Sequence, residues 1–506
     1  MRKEIERLVE LDREVKLLAH MGAVLGWDQE TYMPPMAIGE RAEQIAYLEG
    51  LAHEKAVSPE IGSLLGALGS SAENPLGDPS LEPLERAYLR VLRRAYDRET
   101  KLPGELVTEL ARAASLGQAA WVEARAASDF ARFRPSLERM VSLQRSKAAC
   151  LGPGRKPYDV LLDLYEPGND EASVGAVFSA LRAELASLLD RIRGRPQVDD
   201  SVVKRPCPEG RQAAISEWLM GELAYDRGRG RLDTVAHPFT STLGSDDVRI
   251  TTRFLPEAFA SGMFSTMHEA GHALYELGIA PGPGYSRTSL SEASSMAIHE
   301  SQSRLWENLV GRSSAFWSSR YTRLAELAGP ALEGVGLEAF LRAINKVEPS
   351  LIRVEADEVS YGLHVILRFE LESALLSGSL QVAELPGAWN AKMRELLDLA
   401  PPDDARGCLQ DVHWSAGLFG YFPSYALGNL YASQLWDAML AELPGIEARI
   451  EGADTAELLA WLRSKVHASG AACLPGELVE RATGSPLDPG HFTRYLRAKY
   501  AALYGL

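Results

Sequence analysis

The stretch Met267-His268-Glu269-Ala270-Gly271-His272 puts two imidazoles and a carboxylate within six residues. On a helix, positions four apart lie on one face. His268 and His272 can therefore reach one metal ion, with Glu269 beside the same space. Zinc at a catalytic site takes nitrogen and carboxylate ligands and keeps one position open for water. The ion makes that water acidic, and Glu269 can take its proton. His-Glu-x-x-His is the pattern of the metal-binding helix of zinc peptidases. The plain alternative is a surface helix with two incidental histidines. With 10 His and 69 acidic residues in 506 positions, chance gives a His-acid-x-x-His pattern in roughly 3% of such chains, so context has to decide. Phe259, Met263, Phe264, Met267, Leu274 and Leu277 surround the motif and predict a buried helix. Ionisable groups inside a buried helix need partners, and a metal is the simplest one. Pro256 fits a first-turn position and Gly278 a C-terminal stop.

Two histidines leave zinc a ligand short. The carboxylates next in line are Glu276, Glu292 and Glu300. Glu276 is one turn past His272, whereas a third ligand normally comes from another element. Ser291 predicts the cap of a helix running to about Val310 and stopped by Gly311. On it Met296, Glu300, Ser303 and Glu307 share a face, with His299 beside Glu300. The residues alone leave Glu292 and Glu300 equal.

Two further stretches carry chemistry. Residues 351–376 read as one helix with an apolar stripe of Ile352, Val359, Leu363 and Ile366. Arg353, Asp357, Tyr361, His364 and Arg368 form a polar stripe without Lys or Glu, which favours a lined cavity over a solvated face. Arg353 suits the bidentate grip of a free C-terminal carboxylate, and Asp357 could orient Arg353 or a metal-bound histidine. The second stretch runs from Gly407 to Gln434. Its Gln410-Asp411-Val412-His413-Trp414 and Gly417 to Tyr425 segments combine aromatics, glycines and one histidine, a composition that shapes substrate pockets. His413 or Tyr421 could donate to an oxyanion; core packing is the alternative for both.

These residues must be positioned by a mostly helical chain. Ile5, Leu8, Val9, Val15, Leu18 and Leu25 predict a long amphipathic helix that breaks near Gly26. Trp27-Asp28-Gln29-Glu30 reads as a helix end packing its tryptophan inward. Helical periods fill 37–150, 171–194, 209–225 and the region beyond 440. No repeat stands out and no break is long enough for a linker, so residues 1–506 read as a single domain. The period changes only at Val248-Arg249-Ile250-Thr251-Thr252-Arg253-Phe254, which alternates as a strand. It predicts a small antiparallel sheet just upstream of the metal helix, with an edge able to pair with an extended peptide. His20, His53, His467 and His491 are isolated and read as incidental.

Composition bounds the partners. A hydrophobic share of 46% is ample for a large core. The net charge of −16 argues against nucleic acid and anionic membranes. Cys150, Cys207, Cys408 and Cys473 are far apart and read as reduced, in a cytoplasmic protein. The start of the chain is too charged for a signal peptide, and no stretch approaches 18 uncharged apolar residues.

Taken together the motifs resemble the carboxypeptidase Taq family of metal-dependent peptidases. The matching blocks are His237-Pro238-Phe239, Asp247-x-Arg249-x-Thr251, His268-Glu269-Ala270-Gly271-His272, His299-Glu300-Ser301-Gln302, Ile352 to Asp357, and Gly407 to Trp414. They follow the family's order, and Gly26-Trp27-Asp28 and Gly420 to Tyr425 extend the likeness. The resemblance implies a mainly α, zincin-like fold with a deep groove and a small sheet beside the metal helix. It implies a cytoplasmic homodimer that removes residues from peptide C-termini with zinc or cobalt. It assigns the third ligand to Glu300, the general base to Glu269, substrate binding to the blocks holding His237, Arg249 and Arg353, and a place near the active site to His413. Gly362 departs from the family, where a larger polar residue is expected.

The expectation is therefore a carboxypeptidase of broad specificity. The metal sits on His268, His272 and Glu300, Glu269 is the base, His413 or Tyr421 meets the oxyanion, and Arg353 or Arg249 holds the substrate carboxylate. The rivals are a related helical zinc endopeptidase and a non-catalytic, metal-holding peptide-binding protein.

Overall fold

The computed structural model describes residues 2–506. The described chain is mainly helical and divides into two compact units, each assembled from three stretches. The first holds the chain up to Thr100, Asp199–Ile344 and Leu435–Pro486. The second holds Lys101–Val198, Asn345–Gln434 and Leu487–Leu506.

In the first unit the opening helix, Lys3–Thr31, runs through Gly26 instead of breaking there. One glycine inside a helix costs about 1 kcal/mol. That cost is offset because Trp27 is buried and lies under two guanidinium groups, Arg249 at 4.5 Å and Arg231 at 5.2 Å from its ring centre. Asp28 pairs with Arg41 of the next helix, Ile38–Ala56.

The alternating stretch forms β3, Asp247–Thr252. It is the middle strand of three, ordered β1-β3-β2, with β1 at Leu232–Thr234 and β2 at Thr240–Gly244. The pairing of β2 with β3 is antiparallel, as the alternation suggests, but β1 pairs with β3 in parallel. The strand rich in motif residues is thus not an edge. Thr252 Oγ1 donates to the Gly262 carbonyl at 3.1 Å, which ties β3 to the helix Phe259–Glu276.

That helix carries both histidines of the motif and buries most of its length, including Phe259, Met263, Met267, Ala270 and Leu274. The next helix, Met296–Arg304, continues as a π-helical segment, Leu305–Val310, up to Gly311. Its cap is Ser295, whose hydroxyl accepts from Ile298 N at 3.1 Å. Ser291 is unavailable for that role because its hydroxyl donates to the Tyr285 carbonyl. The two helices touch backbone to backbone at Gly271. A Cβ there would lie 2.7 Å from Ser303 Cα and 2.8 Å from the Gln302 oxygen.

In the second unit the expected helix over 351–376 is shorter. Arg353–Glu355 is a single 3₁₀ turn, and the helix proper is Tyr361–Ser377. Asp357 explains the break. Its carboxylate accepts from Val359 N, Ser360 N and the Ser360 hydroxyl at 2.7–2.9 Å, which fixes a turn and starts the helix after it. Asp357 therefore caps, and neither Arg353 nor a histidine is its partner in these contacts. Gly362 packs against the helix Glu171–Arg193, where an added Cβ would meet Leu185 Cδ1 at 2.7 Å. Gly362, where the resemblance leads to the expectation of a larger polar residue, thus sits at a close helix contact. Among the described residues Glu171–Arg193 is the one helix long and apolar enough by composition to cross a membrane, and it buries the face carrying Val174, Phe178, Leu181 and Leu185 in this unit.

Candidate metal centre and substrate-binding residues

The close approach at Gly271 brings the third carboxylate to the two histidines. His272 Nε2 lies 3.5 Å and His268 Nε2 3.8 Å from Glu300 Oε2, and one ligand atom from each residue lies within 4.8 Å of the others. Metal–ligand bonds of 2.0–2.2 Å in tetrahedral geometry require ligand atoms about 3.4 Å apart. The spacing and the donor set, two imidazoles and a carboxylate, fit a divalent ion. Glu292, the competing candidate, is on the surface and pairs with Lys16. Glu276 is taken by His299 Nε2 at 2.8 Å.

The surroundings prepare two of the ligands, Glu300 and His272. Glu300 is buried, which disfavours its charge, but Arg304, His268 and His272 outweigh burial and hold its carboxyl far below the usual range. Arg304 Nε donates to Glu300 Oε1 at 2.6 Å, which leaves Oε2 towards the imidazoles. Burial lowers the pKa of His272 to about 3 and so keeps it neutral, and a neutral ring has a lone pair for a metal. Behind His268, Glu307 Oε2 meets Nδ1 at 2.9 Å. Glu307 itself is held ionised down to about 2, because Arg304, His268 and Arg312 overcome its burial.

Glu269 is buried beside the cluster. Thr240 of β2 donates to Glu269 Oε2 at 2.6 Å, so the sheet fixes one carboxylate oxygen. Burial raises the pKa of Glu269 against the pull of His268 and Thr240. A carboxylate of raised pKa is a stronger base than an exposed one.

In the second unit another cluster forms around Asp411. Its Oδ1 accepts from Arg353 Nη2 at 2.9 Å and its Oδ2 from Arg368 Nε at 2.7 Å. Arg353 Nη1 also donates to the Tyr361 hydroxyl at 3.1 Å, and the guanidinium lies 4.8 Å from the Tyr425 ring centre. Both arginines are buried. His413 stacks on Phe422 with ring centres 4.4 Å apart, meets the Tyr425 hydroxyl at 3.3 Å, and neighbours Tyr421 at 5.8 Å between centres. Burial, with Arg353 and Arg368, lowers His413 to about 4 against the pull of Asp411, so its ring is neutral at neutral pH. The polar stripe read from sequence is thus mostly buried: His364 Nε2 donates to the Ser350 carbonyl at 3.1 Å and Arg368 is fully enclosed.

Of the remaining candidates, Arg249 grips Asp247 with two hydrogen bonds of 2.7–2.8 Å and stacks on Trp27. His237 is exposed in the segment between β1 and β2. Sequence reasoning did not give roles to Thr240, Glu307 or Arg304. Glu307 carried a signal, since it shares the helical face of Glu300. His467, read as incidental, is buried and binds Gln302 Oε1 through Nε2 at 3.0 Å, next to the carboxylate ligand's helix.

Two imidazoles and a carboxylate gathered from two helices of a mainly helical chain are the donor set of a metallopeptidase. A profile of the carboxypeptidase Taq (M32) metallopeptidase family matches residues 7–500. Thermostable carboxypeptidase 1 of Thermus thermophilus is 44% identical across 99% of both chains. Carboxypeptidase 1 of Bacillus subtilis is 37% identical across 95% of both. The crystal structure of the M32 carboxypeptidase of Deinococcus radiodurans R1 superposes with a TM-score of 0.95 at 40% identity, covering 100% of each chain. The chain belongs to the carboxypeptidase Taq (M32) family of metallopeptidases. It is a metal-dependent carboxypeptidase, a hydrolase whose substrates are peptides.

Proposed function

We propose that the ion is zinc, with cobalt as an effective substitute, held by His268, His272 and Glu300, and that Glu269 is the general base. The observation that carries this reading is the spacing of 3.5 and 3.8 Å from Glu300 Oε2 to the two imidazoles, with Glu269 tethered by Thr240 beside them. Two nitrogens and one carboxylate are the donor set that zinc favours at catalytic sites. When bound, such an ion supplies Lewis acidity, which acidifies water and polarises a carbonyl.

Glu269 then takes the proton of the attacking water on the oxygen not held by Thr240. It returns that proton to the leaving amine as the peptide C–N bond breaks. The raised pKa of Glu269 suits the first half of that exchange, since a more basic carboxylate takes the proton more readily. For the oxyanion we propose His413 or Tyr421 as donor; a neutral His413 has one N–H to give. For the substrate's terminal carboxylate we propose Arg353 or Arg249, each a planar guanidinium, with His237 as a further substrate contact. Broad side-chain specificity, a homodimer and a cytoplasmic location belong to the same proposal. The four free cysteines support a reducing compartment.

Incubation of a defined peptide with the metal-loaded protein, followed by mass spectrometry, tests the reading. The expected result is a ladder shortened stepwise from the C-terminus, with zinc and cobalt both active. Cleavage in the middle of a peptide blocked at its C-terminus would assign an endopeptidase instead.

A further inference from the structure

The two histidines of the motif are backed differently. His268 Nδ1 meets a carboxylate directly, Glu307 Oε2 at 2.9 Å. His272 Nδ1 meets another imidazole, His299 Nδ1, and the far nitrogen of that ring meets Glu276 Oε1 at 2.8 Å. Two ring nitrogens can share a hydrogen bond only when one carries the proton and the other a lone pair. The carboxylate of Glu276 accepts, so His299 carries a proton on Nε2. A neutral His299 then has its lone pair on Nδ1, and the shared proton belongs to His272 Nδ1. That leaves the lone pair of His272 on Nε2, the atom 3.5 Å from Glu300 Oε2. The reverse order would put a proton on His272 Nε2 and block it as a ligand.

We propose that His299 and Glu276 form a two-residue relay that sets the His272 tautomer for metal binding before the ion arrives. His299 is a positioning residue, neighbour in sequence to the ligand Glu300 but acting through His272. Glu276 sits one helical turn beyond His272, at a spacing of four, and closes the relay on the same helix. The geometry is held from outside as well, since the His299 ring lies 5.3 Å from the Tyr275 ring, edge to face. Hydrogen-bond partners of metal-bound histidines fix ring orientation and tautomer, and losing them typically weakens metal binding 10–100-fold. The inference rests on His268, His272 and Glu300 being the ligands.

The test uses the full chain and measures zinc affinity by competition with a chromophoric chelator, alongside the melting temperature of the metal-free protein. His299→Leu removes both ring nitrogens. His299→Gln keeps an acceptor for His272 and a donor for Glu276. Expected are a 10–100-fold weaker zinc affinity for H299L and recovery to within a few-fold of wild type for H299Q, with unchanged metal-free melting. A His299→Leu protein that binds zinc as tightly as wild type overturns the relay, as does a His299→Gln protein no better than His299→Leu. His272→Ala and Glu300→Ala run in parallel: if they also keep wild-type affinity, the ligand assignment has failed, and the relay with it. Nitrogen NMR of the metal-free wild type, labelled at histidine, gives a second readout independent of any variant. His272 should show a protonated Nδ1 and an unprotonated Nε2, and a protonated Nε2 there overturns the proposal even if the variants bind poorly.

Discussion

Glu372 offers the sharpest quantitative prediction. It is fully buried in the second unit, and its two oxygens receive three neutral donors: Trp414 Nε1 at 2.8 Å, Gly420 N at 3.0 Å and the Tyr158 hydroxyl at 3.1 Å. The charged group that acts on it is Arg368, one turn earlier on the same helix and already paired with Asp411. Burial raises its pKa from 4.5 to about 7, against the pull of the three donors and Arg368. A folded pKa above the unfolded one means that the folded state binds the proton more tightly. The associated stability is complete below about 4.5 and is lost as pH rises through about 7. At 1.36 kcal/mol per pH unit, the loss between pH 4.5 and 7.5 is about 3 kcal/mol. Glu372→Gln removes the titration. It also sets one amide N–H against a donor, so the variant should be less stable than wild type at pH 5. The quantity to measure is the difference between the two proteins, by urea unfolding of metal-free samples at pH 5 and pH 8. That difference should shift by about 2.5 kcal/mol in favour of the variant at the higher pH, since part of the loss has already occurred at pH 5. A shift near zero would show that Glu372 is ionised throughout and would refute the argument from burial.

The other predictions concern the metal-bearing unit and the substrate. Glu269→Gln should keep wild-type zinc affinity and lower kcat by about 10²–10⁴-fold, read by steady-state kinetics with metal content measured in parallel. Gly271→Val should destabilise by about 1–3 kcal/mol or more, because the added atoms meet the backbone of Gln302 and Ser303; calorimetry reads the loss, and zinc affinity should fall with it. A peptide with an amidated C-terminus should be cut at least tenfold more slowly than the free acid if a guanidinium holds the carboxylate, and equal rates would rule out such a grip. Asp411→Asn should destabilise by about 3–5 kcal/mol, since it leaves two buried guanidinium groups without their counter-charge; a change below about 1 kcal/mol in the urea midpoint would contradict the pairing.

Much of the metal cluster was legible because its logic is local. A spacing of four on a helix puts His268 and His272 on one face whatever the rest of the chain does. The apolar residues around them marked the helix as buried, and the structure buries it. The third carboxylate was different. Glu292 and Glu300 are both acidic, downstream and sterically acceptable, and nothing local separates them. What separates them is the contact at Gly271, where the absence of a side chain lets the Met296–Arg304 helix approach to backbone contact. A glycine inside a helix signals a close approach, but it does not name the partner.

The Asp411 cluster shows the opposite balance. Its residue types were readable as a polar stripe unsuited to solvent, yet the stripe was assigned to a single helix that does not exist. Arg353 and Arg368 lie on different elements, and Asp411, far along the chain, joins them. The helical period survived the error because the turn made by Asp357 changes the path of the chain without removing Arg353 from Tyr361, to which it is hydrogen-bonded. Burial gives the reason for its composition. An enclosed guanidinium needs a carboxylate and further acceptors, and the single Gln410 Oε1 accepts from Arg368 Nη2 at 2.8 Å and from the Arg353 backbone N–H at 2.9 Å. Gln410, Asp411 and the two arginines therefore form one unit of charge and hydrogen bonding, and a change at any of the four should be felt at the other three.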